Sequence, residues 1–219
     1  MSKSLATAAM QAIDPALAVG FGELARCLKV EPALAVKIKS QEAGSATYYQ
    51  KLAKRYAKGR LSKSPKPPST VADDFTGLVM QHYFAIPAAE LPRIQQTHAL
   101  SMAAENIVGD LLERYIASCL EPSGWVWCSG STMRSVDFIK PPANARGKWT
   151  LLQVKNRDNS ENSSSSAIRT DTNIQHWHRS FSRKTGSNWA AFPDELLRCQ
   201  LSEEGFKTFA VTTLKGLRP

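Results

Sequence analysis

Over the first sixty positions, apolar residues recur at intervals of three and four. They run Leu5, Ala8, Ala9 and Ala12-Ile13, then Leu17, Phe21, Leu24, Ala25 and Leu28, then Leu34, Val36 and Ile38. This spacing predicts helices across residues 1–60. Asp14-Pro15 and Glu31-Pro32 suit helix starts, where proline's missing N–H costs nothing. Residues 47–60, TYYQKLAKRYAKGR, read as a basic helix with interleaved tyrosines, ended by Gly59. Its charged side is either a phosphate-binding surface or an ordinary solvated face. A short helix-turn-helix between Phe21 and Ala46 is a third option, without a clean turn pattern behind it.

Residues 61–70, LSKSPKPPST, have no periodicity and three prolines, and read as a linker. A helix with an acidic start is expected over 73–83, after which Pro87 and Pro92 interrupt the chain. The strongest helical stripe spans 97–120, through Ala99, Ala103, Ile107, Val108, Leu111, Leu112, Tyr115 and Ile116. Residues 124–128, GWVWC, predict a short aromatic strand whose tryptophans belong to the core. Residues 174–183 read as a basic, aromatic helix or loop. The alternation in 206–214, FKTFAVTTL, predicts a last strand.

The most informative stretch lies between these elements. Val136-Asp137-Phe138-Ile139 and residues 149–155, WTLLQVK, are short apolar runs separated by Pro141-Pro142 and a turn-rich loop through Gly147. Both predict strands. Strand alternation sends Gln153 and Lys155 to one side, with Leu152 and Val154 facing the core. If the strands are neighbours, Asp137 meets Gln153 and Lys155 at one sheet edge. Two readings fit that trio: a cradle for a divalent cation and a phosphate, or a cross-strand ion pair of little energetic weight. The polar run that follows, from Asn156 through Ser163–Ser166 to Asn173, is either a flexible serine-rich linker or a set of donors and acceptors for phosphates and base edges.

Charge favours a polyanionic partner. The 219-residue chain carries a net charge of +9, unevenly spread. Residues 1–70 hold twelve Lys and Arg against four acids, residues 71–140 four against eight, and residues 141–219 twelve against seven. Basic surface binds nucleic acid by releasing counterions, and an anionic membrane surface ranks second. Cys27, Cys119, Cys128 and Cys199 form no CxxC pair, which argues against a disulfide framework and a zinc knuckle. His176 and His178 with Cys199 lack the further ligands a metal would need. No apolar run has the length of a membrane span and the first twenty residues lack a signal-peptide core, so a soluble intracellular protein is expected.

Asp137, a loop, then Gln153-Val154-Lys155 on an apolar strand resembles the PD-(D/E)xK nuclease core in the variant where glutamine replaces the middle acid. The longer run QVKNRDNSENSSSS, with the helix preceding it, resembles the SinI type of restriction endonucleases, which recognise GGWCC. The resemblance covers residues 100–215 and departs from the motif at Val136, where a proline would stand, and at Gln153, where one anionic ligand is lost.

The resemblance implies an α/β fold: a restriction-endonuclease-like core with a mixed central sheet flanked by helices. That core would span residues 71–219, behind the linker and the basic helical region 1–60. It also implies Mg2+-dependent hydrolysis of double-stranded DNA to 5′-phosphate ends, with metal ligands Asp137, the Val154 carbonyl and Glu105. Gln153 and Lys155 would complete the catalytic set, and Arg157, Asn159, Asn162, Ser163 and Arg169 would contact DNA. A homodimer, a cognate DNA methyltransferase and a prokaryotic cytoplasmic location follow from the same resemblance. Two alternatives stand beside it: an Mrr-like or structure-selective nuclease on the same core, and a non-catalytic DNA-binding protein.

Overall fold

Three helices open the chain, α1 (Ser2–Gln11), α2 (Ala18–Val30) and α3 (Ala46–Arg60). They belong to a computed structural model that describes residues 2–66, 69, 72–144, 147–158 and 173–217. In α2 the residues Phe21, Leu24, Ala25 and Leu28 are buried, at the spacing of a single helix face. Helix α3 starts at Ser45, whose hydroxyl accepts from Tyr48 N–H at 3.2 Å. It buries all three of its tyrosines, Tyr48, Tyr49 and Tyr56, and leaves Lys51, Lys54, Arg55 and Lys58 in solvent.

Between α2 and α3 the chain departs from the helical expectation. Pro32–Leu34 make one tight turn, and the backbone then runs extended, with Ala35 bridging Met133. Leu34, Val36 and Ile38 are two residues apart, which is a strand's period rather than a helix's. This extended course also excludes a helix-turn-helix between Phe21 and Ala46.

Next come α4 (Asp74–His82), capped by Asp73, and the thirty-residue α5 (Leu91–Leu120). Pro92 does not interrupt α5. It occupies the first turn, where no donor is required.

Four strands follow: β1 (Val126–Trp127), β2 (Phe138–Lys140), β3 (Thr150–Arg157) and β4 (Ile174–Ser180). They form one mixed sheet in the order β1-β2-β3-β4, with β3 and β4 parallel and the other pairs antiparallel. The expectation of a helix or loop over 174–183 is therefore corrected to a strand. Ile174 and Trp177 are both buried, three apart, because they enter different cores on opposite faces of the sheet. A sheet covered on both sides lacks the simple alternation of a half-exposed strand.

The C-terminal part contains α6 (Glu195–Arg198) and α7 (Glu203–Gly216). The strand expected over 206–214 is thus a helix. Ser202 caps it by accepting from Gly205 N–H at 3.0 Å, and Glu203 and Glu204 occupy its first turn. Phe206, Phe209, Ala210 and Leu214 then fall on one face, against α5. Capping and tertiary packing outweigh the β propensity of the Thr and Val residues between them. Among the described residues no helix is long and apolar enough to cross a membrane.

Alternation divides the sheet between two cores. Val126, Ile139, Leu151 and Ile174 pack with α1, α2 and α3. Trp127, Phe138, Leu152, Val154 and Trp177 pack with α5, α7 and the segment around Trp189 and Phe192. The N-terminal helices therefore share a core with the sheet.

Helix α3 approaches the turn after β1 so closely that both contact points are glycines. A Cβ on Gly59 would stand 2.2 Å from Gly130 N, and one on Gly130 would stand 2.1 Å from Arg55 O. Gly130 also has φ +73°, which favours glycine. Gly59→Ala is expected to cost about 2 kcal/mol in urea unfolding, since backbone rather than a movable side chain is in the way. Gly109→Ala, on α5 with nothing within 4 Å of its Cβ, is expected instead to gain up to about 1 kcal/mol of helix propensity. Equal midpoints for the two variants would contradict this packing.

Candidate active site

The face of the sheet that receives the N-terminal helices is apolar over only part of its length. Successive side chains on a strand alternate faces, so Asp137 shares a face with Ile139, and Gln153 and Lys155 share one with Leu151. Pairing of Gln153 with His176 and of Lys155 with His178 extends this row onto β4. The apolar members are buried, while Gln153 and Lys155 are half-buried and His176 is exposed. A row of acid, amide, ammonium and two imidazoles thus emerges where the helical cover ends.

Asp137 stands just before β2 and is held by main chain on both sides. Its N–H donates to Leu152 O at 2.9 Å, and its carbonyl accepts from Cys128 N–H at 2.8 Å. Its carboxylate Oδ2 accepts from Val154 N–H at 2.7 Å. One further step of the β2–β3 register places it opposite Gln153. Asp137 keeps some accessible surface but is enclosed by protein on most sides. Burial first and the nearby Glu113 second push its pKa up to about 8, against the lowering influence of the Val154 N–H and Lys155.

Glu113 reaches this end of the sheet from α5. Trp127 Nε1–H donates to its Oε2 at 2.9 Å, and Trp127 pairs in register with Phe138, the residue after Asp137. Burial raises the Glu113 pKa, with Asp110 adding to the effect, while the Trp127 donor, Lys63 and Arg114 oppose it.

A buried carboxyl whose proton affinity is raised by burial and by a neighbouring acid marks a position where a cation's charge would be favourable. Asp137 and Glu113, with neutral oxygens from the Val154 carbonyl and the Gln153 amide, suit a hard ion that takes one or two carboxylates and fills its other positions with water and phosphate. Among the described residues no three His, Cys, Asp or Glu side chains gather as a metal cluster.

The sequence-predicted residues divide in three. Asp137, Val154, Gln153 and Lys155 come together as expected, with the main chain of Val154 beside the Asp137 carboxylate. Glu105 does not join them. It is exposed on α5, eight residues before Glu113, which is about 12 Å along the helix. The reason is that α5 meets the sheet with its C-terminal half, where Leu111, Leu112, Tyr115 and Ile116 are buried. The sequence reading did not single out Glu113, although it stands beside the densest part of that apolar stripe. Arg157 is exposed at the end of β3, where it pairs with Ser180, whereas Asn159, Asn162, Ser163 and Arg169 lie outside the described residues.

Two histidines of β4 also went unassigned, because their strand was read as a helix or loop. His176 Nδ1 lies 3.1 Å from Gln153 Oε1, a contact made by parallel pairing across the register. His178, opposite Lys155, holds its ring edge-on to Phe181 with centroids 5.2 Å apart.

Comparison with known proteins gives consistent matches. The family model described as SinI restriction endonuclease matches residues 2–215. The chain is similar to the type II restriction enzyme SinI of Salmonella infantis, 44% identical over 221 aligned residues, covering 99% of this chain and 96% of that one. It is also similar to the type II restriction enzyme Eco47I of Escherichia coli, 45% identical over 212 residues, covering 95% and 92%.

The raised Asp137 pKa has a consequence for stability in chelator. The folded protein keeps a proton that the unfolded chain, with an ordinary value of 3.8, has already released. The folded state therefore binds more protons between those values, and stability falls as pH rises from 3.8 to about 8. Asp137→Asn is expected to flatten this slope and to melt above the wild type at pH near 8. Parallel melting curves for the two proteins across that window would refute the assignment.

Proposed function

This chain belongs to the SinI restriction endonuclease family, and from that premise we propose that the Asp137–Lys155 face is a PD-(D/E)xK-type centre, in its glutamine variant, that hydrolyses duplex DNA at GGWCC. The chain is a type II restriction endonuclease. The observation that supports the proposed site is Asp137, poorly solvated at the edge of the core, opposite Gln153 in the strand register and within electrostatic reach of Lys155 and Glu113.

Asp137, Glu113 and the Val154 carbonyl would hold Mg2+, with the Gln153 amide oxygen as a weaker neighbour. When bound, the ion supplies positive charge to a phosphate oxygen as charge develops there. Asp137 is kept in place by the Val154 N–H at its Oδ2. Lys155 places an ammonium next to the phosphate, where it orients the attacking water and stabilises charge in the transition state. Water adds to phosphorus as the bond to the 3′ oxygen breaks, leaving a 5′-phosphate and a 3′-hydroxyl. His176 fixes the Gln153 amide through its Nδ1 contact and acts as a positioning residue.

The basic balance of the chain supplies affinity for the duplex. We assign base and phosphate contacts to Arg157 and, from sequence, to Asn159, Asn162, Ser163 and Arg169, since arginine pairs with guanine and asparagine with adenine in the major groove. The same reading implies a homodimer, a companion DNA methyltransferase that protects host sites, and action in a prokaryotic cytoplasm.

Purified protein incubated with unmethylated plasmid and magnesium is expected to give discrete fragments ending at GGWCC. Chelator, Asp137→Ala and Lys155→Ala should abolish them. The choice of helix acid is tested separately: Glu113→Gln should lower the cleavage rate about 100-fold or more, a loss typical of removing a group that stabilises transition-state charge, while Glu105→Gln stays near wild type. The opposite ranking would return the role to Glu105.

His176 is tested by rescue. His176→Ala should lower kcat about tenfold, the loss that corresponds to a positioning contact of about 1.4 kcal/mol, with KM little changed. His176→Asn, whose amide N–H can replace Nδ1–H, should restore most of it. A KM effect alone, or no rescue by Asn, would remove His176 from the site.

A further inference from the structure

Helix α5 buries no side chain before Ala103. Its first twelve residues, about 18 Å of helix, therefore lie outside the buried core, with α4 against them. The two helices meet at Gly77, where a Cβ would stand 3.5 Å from Leu91 Cδ1. Their outer surface is apolar. Phe75, Leu78, Val79, Tyr83, Phe84 and Leu100 are all exposed, Phe75 by 75% and Tyr83 by 80%.

We propose that this α4–α5 arm is a self-association surface on which a second copy of the chain pairs arm to arm. Area is the first argument. With ~200 Å² for an aromatic side chain, the three rings and their aliphatic neighbours leave about 700 Å² open, close to the ~800 Å² each partner contributes to a standard interface. Isolated apolar patches on monomers rarely reach that size.

Charge is the second argument. The chain carries +9 overall, so most of its surface repels a second copy. The arm is an exception, with Asp73, Asp74 and Glu90 against Arg93 alone. Two arms can meet without that repulsion.

Shape is the third. A groove of about 250 Å³ lies between α4 and α5, lined among others by Thr76, Met80, Ile94 and Met102. An apolar cavity of ~150 Å³ already accepts benzene, so the groove has room for one aromatic ring from the partner arm. A two-fold axis then places each copy's ring in the other's groove, the self-complementary contact of a closed dimer.

One consequence rests on the nuclease reading above. The two strands of a duplex run antiparallel, and each chain carries one site, so a two-fold pair brings one site to each strand. Pairing through the arm leaves the basic surfaces of α3 and the end of β3 available for DNA.

The test compares full-length wild type, Asp137→Ala and Phe75→Glu/Tyr83→Glu by light scattering after gel filtration at micromolar concentration. Wild type and Asp137→Ala should run at twice the chain mass, and the double variant at one chain mass with an unchanged circular dichroism spectrum. Leu78→Lys/Phe84→Ser serves as a second disruption of the same surface. With plasmid, the paired proteins other than Asp137→Ala should yield linear product, and the unpaired variants at most nicked circles. A wild type of one chain mass, or arm variants that still pair, would overturn the proposal. If mass halves as expected but no protein cuts DNA, pairing stands and the nuclease reading fails.

Discussion

The indole of Trp127 is enclosed by two guanidinium groups, Arg60 from α3 and Arg114 from α5, whose carbons lie 5.0 and 5.2 Å from its ring centre. A buried cation is tolerated only when its donors are met, and these are. Arg60 donates to Glu121 at 2.8 Å, Ser129 at 3.1 Å, the Tyr56 hydroxyl and Trp127 O at 3.1 Å. Arg114 donates to Asp110 at 2.6 Å and to the carbonyls of Gly59, Arg60 and Leu61. Those carbonyls end α3 and have no partner within the helix, so Arg114 both satisfies them and complements the helix dipole. The N-terminal helices, the long helix and the first strand are joined at this point.

The same tryptophan carries the join to the candidate site. Its N–H holds Glu113, and its strand neighbour across β2 is one residue from Asp137. The two acids thus sit on separate elements, each tied to β1, Glu113 through the Trp127 indole and Asp137 through Cys128 N–H. Structural and chemical demands thus fall on one short strand of two residues.

Incomplete cover by the N-terminal helices then decides which part of this sheet face carries polar side chains that reach solvent. Leu151 and Ile174 are buried under helices, while two residues further on Gln153, Lys155, His176 and His178 escape burial in the apolar core. Asp137 lies at the boundary, close enough to the core to be poorly solvated and open enough to keep some surface. Its raised pKa follows from that position and from Glu113. A carboxylate deeper in the core would stay protonated, and one further out would lose its hold on Val154 N–H.

The amino-acid sequence by itself determined the local parts. Asp137 and Gln153-Val154-Lys155 were legible because strand alternation is a property of the backbone, and hairpin-type strands are near neighbours along the chain. Most of the helices were legible from their apolar spacing, and the basic balance from composition. Tertiary structure alone decided the rest. Which acid of a thirty-residue helix lies near the sheet depends on where that helix crosses it, so Glu113 rather than Glu105 is held against β1. His176 reaches Gln153 through parallel pairing between strands separated by a long connection, a contact that no local pattern encodes. Residues 206–214 and 174–180 exchanged their expected forms because a cap, two-sided burial and packing against α5 outweighed propensity. Such choices depend on distant residues becoming neighbours, and the linear pattern carries little trace of them.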